Sequence, residues 1–168
     1  MIIVKEIQDT HNTPGVIASD EYYTPLEFVK SLGEFDTDPC TPVGFRWRTA
    51  NIMYNKEDDG LAQQWYGRVW LNPPYSSPLV TKFMKKMSEH RNGIALLLPK
   101  FGTKMFRDYV YPYADGIYVL AKRIKFFGQD YVQMKSPIAS SILIAYGQEN
   151  IDAILNSGLE GTMFYLKH

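Results

Sequence analysis

The sequence lacks the features that place a protein in an oxidising compartment or in a membrane, which are several cysteines and a long apolar run. A single cysteine, Cys40, excludes an internal disulfide framework. No apolar run approaches the roughly 20 residues of a membrane-spanning helix, and the start, MIIVKEIQDT, is charged too early for a signal peptide. There is no internal repeat or linker. We therefore expect a cytoplasmic protein without membrane contact, with an arm over residues 1–20 and a single domain over residues 21–168.

The chain also has no net charge, because 18 Lys and Arg balance 18 Asp and Glu. The charges are unevenly distributed. Residues 82–135 contain 11 basic and 4 acidic residues, so the remainder carries an equal acidic excess. Such segregation is typical of a protein with one face that meets a polyanion, although ordinary solvated faces could produce the same pattern.

Apolar runs alternate with helical patterns along the chain. Amphipathic helices are predicted at TPLEFVKSLG and SPLVTKFMKKMSEH. Strands are predicted at EFDTDPC, NIMY, GRVWL, GIALLLP, GIYVL, ASSILIAYG and near the C-terminus. This alternation predicts an α/β fold with a mainly parallel sheet, in which GIYVL and SILIAY form an antiparallel pair near one edge.

The strand GRVWL runs directly into Asn72-Pro73-Pro74-Tyr75. An ordinary loop is the plain interpretation, because proline and asparagine commonly end strands. Ligands of open α/β sheets, however, bind beyond the carboxyl ends of strands. Proline stiffens the backbone there, and an amide oxygen beside a proline carbonyl offers two acceptors. Two acceptors and a stacking ring suit an exocyclic amino group whose nitrogen attacks an electrophile.

Five segments strengthen this interpretation by their order. They are YYTPLEFVKSLGEFDTDPC, EDDGLAQQW, RVWLNPPYS, ALLLP and RIKFF. Together they resemble the phage-type DNA N-6-adenine methyltransferase family over about residues 20–146. The resemblance implies a small Rossmann-like fold that uses S-adenosylmethionine and methylates N6 of adenine in double-stranded DNA. It also implies a phage or prophage origin and no metal.

The resemblance assigns roles to particular residues. In the Asn72-Pro73-Pro74-Tyr75 motif, Asn72 and Pro73 bind the target amino group, and Tyr75 stacks on the flipped base. The residues implied to bind the methyl donor are Tyr22, Tyr23, Thr24, Pro25, Asp38, Pro39, Cys40 and Asp58. The resemblance also implies that Phe126 stacks on the other face of the base. Separately, the basic stretch predicts phosphate contacts by Lys122, Arg123 and Lys125.

Several of these segments have simpler interpretations. Tyr22–Pro25 could be a helix cap, Asp38-Pro39 a strand-ending turn, and Asp58 part of a solvated acidic turn. Phe126 could belong to the core. The stretch Phe45–Arg48 mixes aromatic and basic residues as nucleic-acid surfaces do.

Two other functions stay open at this stage. Asn-Pro-Pro-Tyr is also similar to motifs of methyltransferases for RNA bases and for a protein glutamine amide. A non-catalytic DNA-binding homologue is the third possibility, because DPCTPVGF lacks the glycine-rich loop usual after the first strand. The chain leaves no room for a separate target-recognition domain, so we expect any sequence preference to come from residues 41–67 and 100–137.

Overall fold

A computed structural model of the chain describes residues 22–128, 130–134 and 140–167. The arm predicted over residues 1–20 lies outside them. The helices are α1 (Leu26–Ser31), α2 (Leu79–His90) and α3 (Gln148–Leu155), with a π-helical turn at Phe106–Val110. The strands are β1 (Thr37–Asp38), β2 (Ile52–Met53), β3 (Val69–Leu71), β4 (Gly93–Leu97), β5 (Gly116–Leu120), β6 (Ile142–Tyr146) and β7 (Gly161–Tyr165).

These strands form a seven-stranded sheet in the order β2-β1-β3-β4-β6-β5-β7. Strands β1 to β4 pair in parallel. Strand β6 is antiparallel to both β4 and β5, so β5 runs in the same direction as the first four. The predicted α/β fold with a mainly parallel sheet is therefore confirmed, and so is the antiparallel pairing of GIYVL with SILIAY. Strand β7 adds a further antiparallel strand at that edge.

The sheet is covered on both faces, which explains its continuous apolar strands. Alternate residues of β3 point to opposite sides: Leu71 packs in one core with α2 and the π-helical turn. Trp70 packs in the other core with α1 and α3. All five residues of β4 and all five of β6 are buried, as expected for strands covered on both sides. Among the described residues, no helix has the length and apolar character to cross a membrane.

Arg68, immediately before β3, ties both helices of one face to the sheet. Its side chain is 8% exposed. The guanidinium donates to the carbonyls of Leu32 (2.7 Å) and Glu34 (3.0 Å), which follow α1, and to Oδ1 of Asn150 in α3 (2.7 Å). It also lies 4.3 Å from the ring centroid of Phe35. These bonds hold the C-terminal end of α1, and α3, against the start of β3.

This arrangement predicts the stability of an Arg68→Met variant. Methionine keeps much of the buried volume but leaves three acceptors without their donor, and each buried unsatisfied group costs about 1–3 kcal/mol. We expect the free energy of unfolding to fall by about 3 kcal/mol in urea denaturation. Arg123→Met, at an exposed position, is the control and should change it by less than about 0.5 kcal/mol. Equal losses in the two variants would contradict this role of Arg68.

Candidate active site

A cavity of about 310 Å³ opens where strands β1 and β3 end. Asp38 is the last residue of β1, and Asn72 follows β3 directly; both line the cavity. Because β1 and β3 are parallel neighbours, their carboxyl ends meet at the same edge of the sheet. This is the place where open α/β sheets bind ligands. All four residues of the Asn72-Pro73-Pro74-Tyr75 motif contribute to the lining.

The Asn72 side chain is held by residues far away in the chain. Its Nδ2 donates to the carbonyl oxygen of Tyr22 at 3.0 Å and to Oγ1 of Thr24 at 3.1 Å. A backbone carbonyl can only accept a hydrogen bond, so the NH₂ end of the amide must face Tyr22. The amide oxygen is thereby turned the other way, where it accepts a hydrogen bond from the Tyr75 hydroxyl at 3.0 Å.

The same contacts decide between the interpretations of Tyr22–Pro25. Helix α1 begins at Leu26 behind Pro25, and no side chain caps it by a hydrogen bond. The helix-cap interpretation of Thr24 is therefore wrong. The Thr24 hydroxyl, 5% exposed, serves Asn72 instead. Gly33, predicted at the helix exit, has φ +90° and donates its N–H to the Lys30 carbonyl.

The Tyr75 side chain is a neutral phenol that donates a hydrogen bond to the Asn72 amide oxygen. Burial, with a smaller contribution from Tyr22, raises the pKa of Tyr75 above its usual range. Its hydroxyl therefore stays protonated at neutral pH and donates to Asn72. The Asn72 oxygen can accept a second hydrogen bond beside that of Tyr75, because an amide oxygen has two lone pairs.

Asp38 is a carboxyl group almost removed from solvent, at 3% exposure. Its Oδ1 accepts the backbone N–H of Cys40 at 3.0 Å, and its Oδ2 accepts the Thr49 hydroxyl. Burial raises the pKa of Asp38 from 3.8 to about 6, and these two hydrogen bonds oppose the rise. The group is therefore largely ionised at neutral pH and suits a cationic ligand in the cavity.

The remaining residues predicted to bind the donor divide into two groups. Those that line the cavity are Tyr22, Tyr23, Thr24, Pro39 and Cys40. Burial, and then the nearby Asp38, raises the pKa of the Cys40 thiol well above its ordinary value, so it stays protonated. Pro25 and Asp58 are not part of the lining. Asp58 Oδ2 accepts the backbone N–H of Asn55 at 2.9 Å, and its neighbour Asp59 lines the cavity instead.

The residues predicted to contact DNA lie outside the cavity lining. Phe126 is 4% exposed and packs in the core, with its ring centroid 6.1 Å from that of Tyr22. The Lys122 ammonium pairs with Glu160 at 2.6 Å. Arg123 and Lys125 are exposed. Their roles in DNA contact stay predictions.

The structure adds cavity residues that the sequence pattern indicated weakly or not at all. Phe45, Arg46 and Trp47 line the cavity together with Tyr131. The first three belong to the aromatic and basic stretch visible in the sequence, but nothing there links them to Tyr131. Among the described residues, no group of three or more His, Cys, Asp or Glu side chains could hold a metal ion.

Comparison with known proteins agrees with the resemblance seen in the sequence. The family model described as DNA N-6-adenine-methyltransferase (Dam) matches residues 3–153. Among curated proteins, the DNA N-6-adenine-methyltransferase of Escherichia phage T1 is 36% identical over 97 residues, which cover 52% of this chain and 39% of the relative. That of Haemophilus phage HP1 (strain HP1c1) is 31% identical over 101 residues, covering 58% of this chain and 57% of the relative.

The aligned region thus spans less than two thirds of either relative's length. No solved structure matches the chain. The family match extends over most of the sequence and confirms the predicted resemblance.

The raised pKa of Asp38 predicts a pH-dependent stability that an Asp38→Asn variant lacks. Asparagine can keep both contacts, because its oxygen accepts from Cys40 and its NH₂ donates to the Thr49 hydroxyl. Between about pH 4 and pH 6 the folded state holds a proton that the unfolded state has released, so stability falls as pH rises from about 4 through about 6. Relative to the variant, the wild type should lose about 1–2 kcal/mol of unfolding free energy between about pH 5 and pH 8.

Thermal unfolding across this pH range measures the effect. Glu57→Gln, which removes an exposed carboxylate from the neighbouring turn, is the matched control and should keep the wild-type pH dependence. If the wild type and Asp38→Asn show parallel pH profiles, the pKa of Asp38 is not raised.

Proposed function

Since this chain belongs to the DNA N-6-adenine-methyltransferase family, we propose that it transfers a methyl group from S-adenosylmethionine to N6 of adenine in double-stranded DNA. The observation that carries the proposal is the orientation of Asn72. Tyr22 and Thr24 hold its NH₂ end, so its amide oxygen lies toward Tyr75, and all four residues line the cavity at the end of β3. That cavity also contains the buried carboxyl group of Asp38.

The Asn72 oxygen provides one acceptor for the amino group of adenine. The carbonyl of Pro73, a buried residue in the cavity lining, provides the second. Accepting both hydrogens concentrates the nitrogen lone pair that adenine otherwise delocalises into its ring. This is positioning and electrostatic stabilisation by groups already in place, so the protein does not reorganise as the reaction proceeds.

Tyr75 exchanges its partner when the base binds. In the structure its hydroxyl donates to the oxygen that the amino group needs. The hydroxyl releases this hydrogen bond as the base binds, and the phenol ring then stacks on the adenine face. Pro73 and Pro74 restrict the backbone between the two residues, so Asn72 and Tyr75 reach the base together.

The residues of the cavity also fit the methyl donor. S-adenosylmethionine, when bound, supplies an electrophilic methyl group on a positively charged sulfur. Asp38 is a buried, largely ionised carboxylate in the same cavity, and it suits the ammonium group or ribose hydroxyls of such a molecule. Tyr23 and Trp70 give the cavity apolar walls, which limit access of water.

Double-stranded DNA is the substrate that family membership favours. The target adenine must leave the base stack to reach a cavity at the end of a sheet, at a cost of a few kcal/mol. Because the matched relatives are phage proteins, we also propose that the chain acts in the cytoplasm of a bacterium that carries a phage or prophage.

The test is transfer of labelled methyl from S-adenosylmethionine to unmethylated duplex DNA, followed by digestion to nucleosides. We expect the label in N6-methyldeoxyadenosine. Asn72→Ala removes the oriented acceptor and should lower the single-turnover rate by about 100-fold or more. Its dissociation constant for S-adenosylmethionine, measured by calorimetry, should stay close to that of the wild type.

Two results would contradict the proposal. One is label that enters RNA or protein but not DNA, which would point to a different acceptor of the same chemistry. The other is an unchanged rate in Asn72→Ala. Absence of donor binding by the wild type would favour a non-catalytic homologue.

A further inference from the structure

Four side chains form an aromatic and basic cover at the cavity, which we call the roof. It consists of Phe45, Arg46, Trp47 and Tyr131. The Arg46 guanidinium lies 4.3 Å from the centroid of the Tyr131 ring, and Trp47 meets that ring edge-on at 5.4 Å. The Tyr131 hydroxyl donates to the carbonyl of Gly44 at 2.9 Å. These contacts join two loops that are far apart in the chain, since Gly44 and Tyr131 are separated by 87 positions.

The roof borders the opening of the cavity rather than its interior. All four side chains line the cavity, yet Arg46 is exposed and Phe45 is 39% exposed. Tyr131 also packs on Tyr23, with ring centroids 4.7 Å apart. Tyr23 lies between the two residues that hold the Asn72 amide. The roof is therefore fixed relative to Asn72, and Tyr131 keeps a φ of +59° within these contacts, a conformation that residues other than glycine rarely adopt.

The segment that contributes Arg46 carries both signs of charge. Residues 41–56 contain three basic residues, Arg46, Arg48 and Lys56, and no acidic one. The acidic residues Glu57, Asp58 and Asp59 follow directly, and Asp59 lines the cavity. The exposed guanidinium of Arg46 attracts a polyanion, and the carboxylate of Asp59, which lines the same cavity together with Lys56, repels one.

The basic residues predicted from the sequence to contact DNA lie on the segment that follows β5, whose Phe127 ring meets the Trp47 ring at 5.3 Å between centroids. Lys122 follows β5, which is separated from β1 by β3, β4 and β6 in the sheet. Its charge is paired with Glu160. Arg123 and Lys125 also lie outside the cavity lining.

We propose that the roof is the surface that holds duplex DNA beside the target nucleotide, with Arg46 on a flanking phosphate and Phe45 against the neighbouring sugar or base. The inference rests on the proposed function. A flipped base stays joined to its own backbone, so the phosphates on either side of it come to the rim of the cavity that receives it. A guanidinium stacked on an aromatic ring is preorganised, and its planar fork binds phosphate oxygens in pairs.

The test compares Arg46→Ala with Arg123→Ala, a matched loss of one exposed arginine from the other basic cluster. The probe is an unmethylated duplex that the wild type methylates, and its dissociation constant is measured by fluorescence anisotropy without S-adenosylmethionine. We expect Arg46→Ala to weaken duplex binding about tenfold and to reduce the slope of log Kd against log salt concentration by about one. Arg123→Ala should lose less affinity and less of the salt dependence than Arg46→Ala.

Arg46→Lys separates charge from shape. Lysine keeps the charge and the salt dependence but loses the planar fork, so its affinity should fall between those of the wild type and Arg46→Ala. The dissociation constant for S-adenosylmethionine should be unchanged in all three variants, which also shows that they fold.

Two outcomes overturn the inference while leaving the proposed function intact. In the first, the wild type methylates the duplex and Arg46→Ala binds it with wild-type affinity and salt dependence. In the second, Arg123→Ala loses more affinity than Arg46→Ala. A wild type that methylates no duplex at all contradicts the proposed function, and the inference with it.

Discussion

The candidate active site depends most on the orientation of one amide group, that of Asn72. Asn72 follows a buried strand, and its NH₂ end is held by the Tyr22 carbonyl and the Thr24 hydroxyl, 50 and 48 residues earlier in the chain. Tyr23, between these two residues, pairs with Phe127 through backbone hydrogen bonds in both directions. Contacts between distant segments thus hold the Asn72 amide, with its NH₂ end toward Tyr22 and Thr24 and its oxygen toward Tyr75.

The charges around the cavity suit the two proposed partners, the methyl donor and DNA, which are of opposite sign. Asp38 is buried inside, where its carboxylate suits a cationic donor. Arg46 is exposed at the opening, where its guanidinium suits a polyanion. If these positions were exchanged, the donor would meet repulsion inside and the DNA would meet repulsion at the rim. The neutral net charge of the chain conceals this division, because the two groups cancel in the sum.

The parts of the site that the sequence predicted are the local ones. The alternation of apolar runs indicated the sheet, and strand ends placed Asp38 and Asn72 at one edge because parallel strands end together. Contacts between distant segments could not be predicted in this way. Thr24 was indistinguishable from a helix cap until its partner, Asn72, was known. Nothing in the sequence indicated that Tyr131 lines the cavity, since its place beside Arg46 depends on how two loops meet. The local density of positive charge predicted that Lys122 contacts DNA, whereas in the structure its ammonium group is paired with Glu160.

The most direct test of this account compares Thr24→Val with Thr24→Ser. Valine has the shape of threonine but removes a bond to the Asn72 amide, whereas serine keeps the hydroxyl. We expect Thr24→Val to lower kcat for methyl transfer to DNA about tenfold, roughly the effect of one lost hydrogen bond. Its Kd for S-adenosylmethionine should be unchanged, and Thr24→Ser should restore most of the rate. A Thr24→Val variant with wild-type kcat and weakened donor binding would contradict the account, because Thr24 would then bind the donor rather than position Asn72.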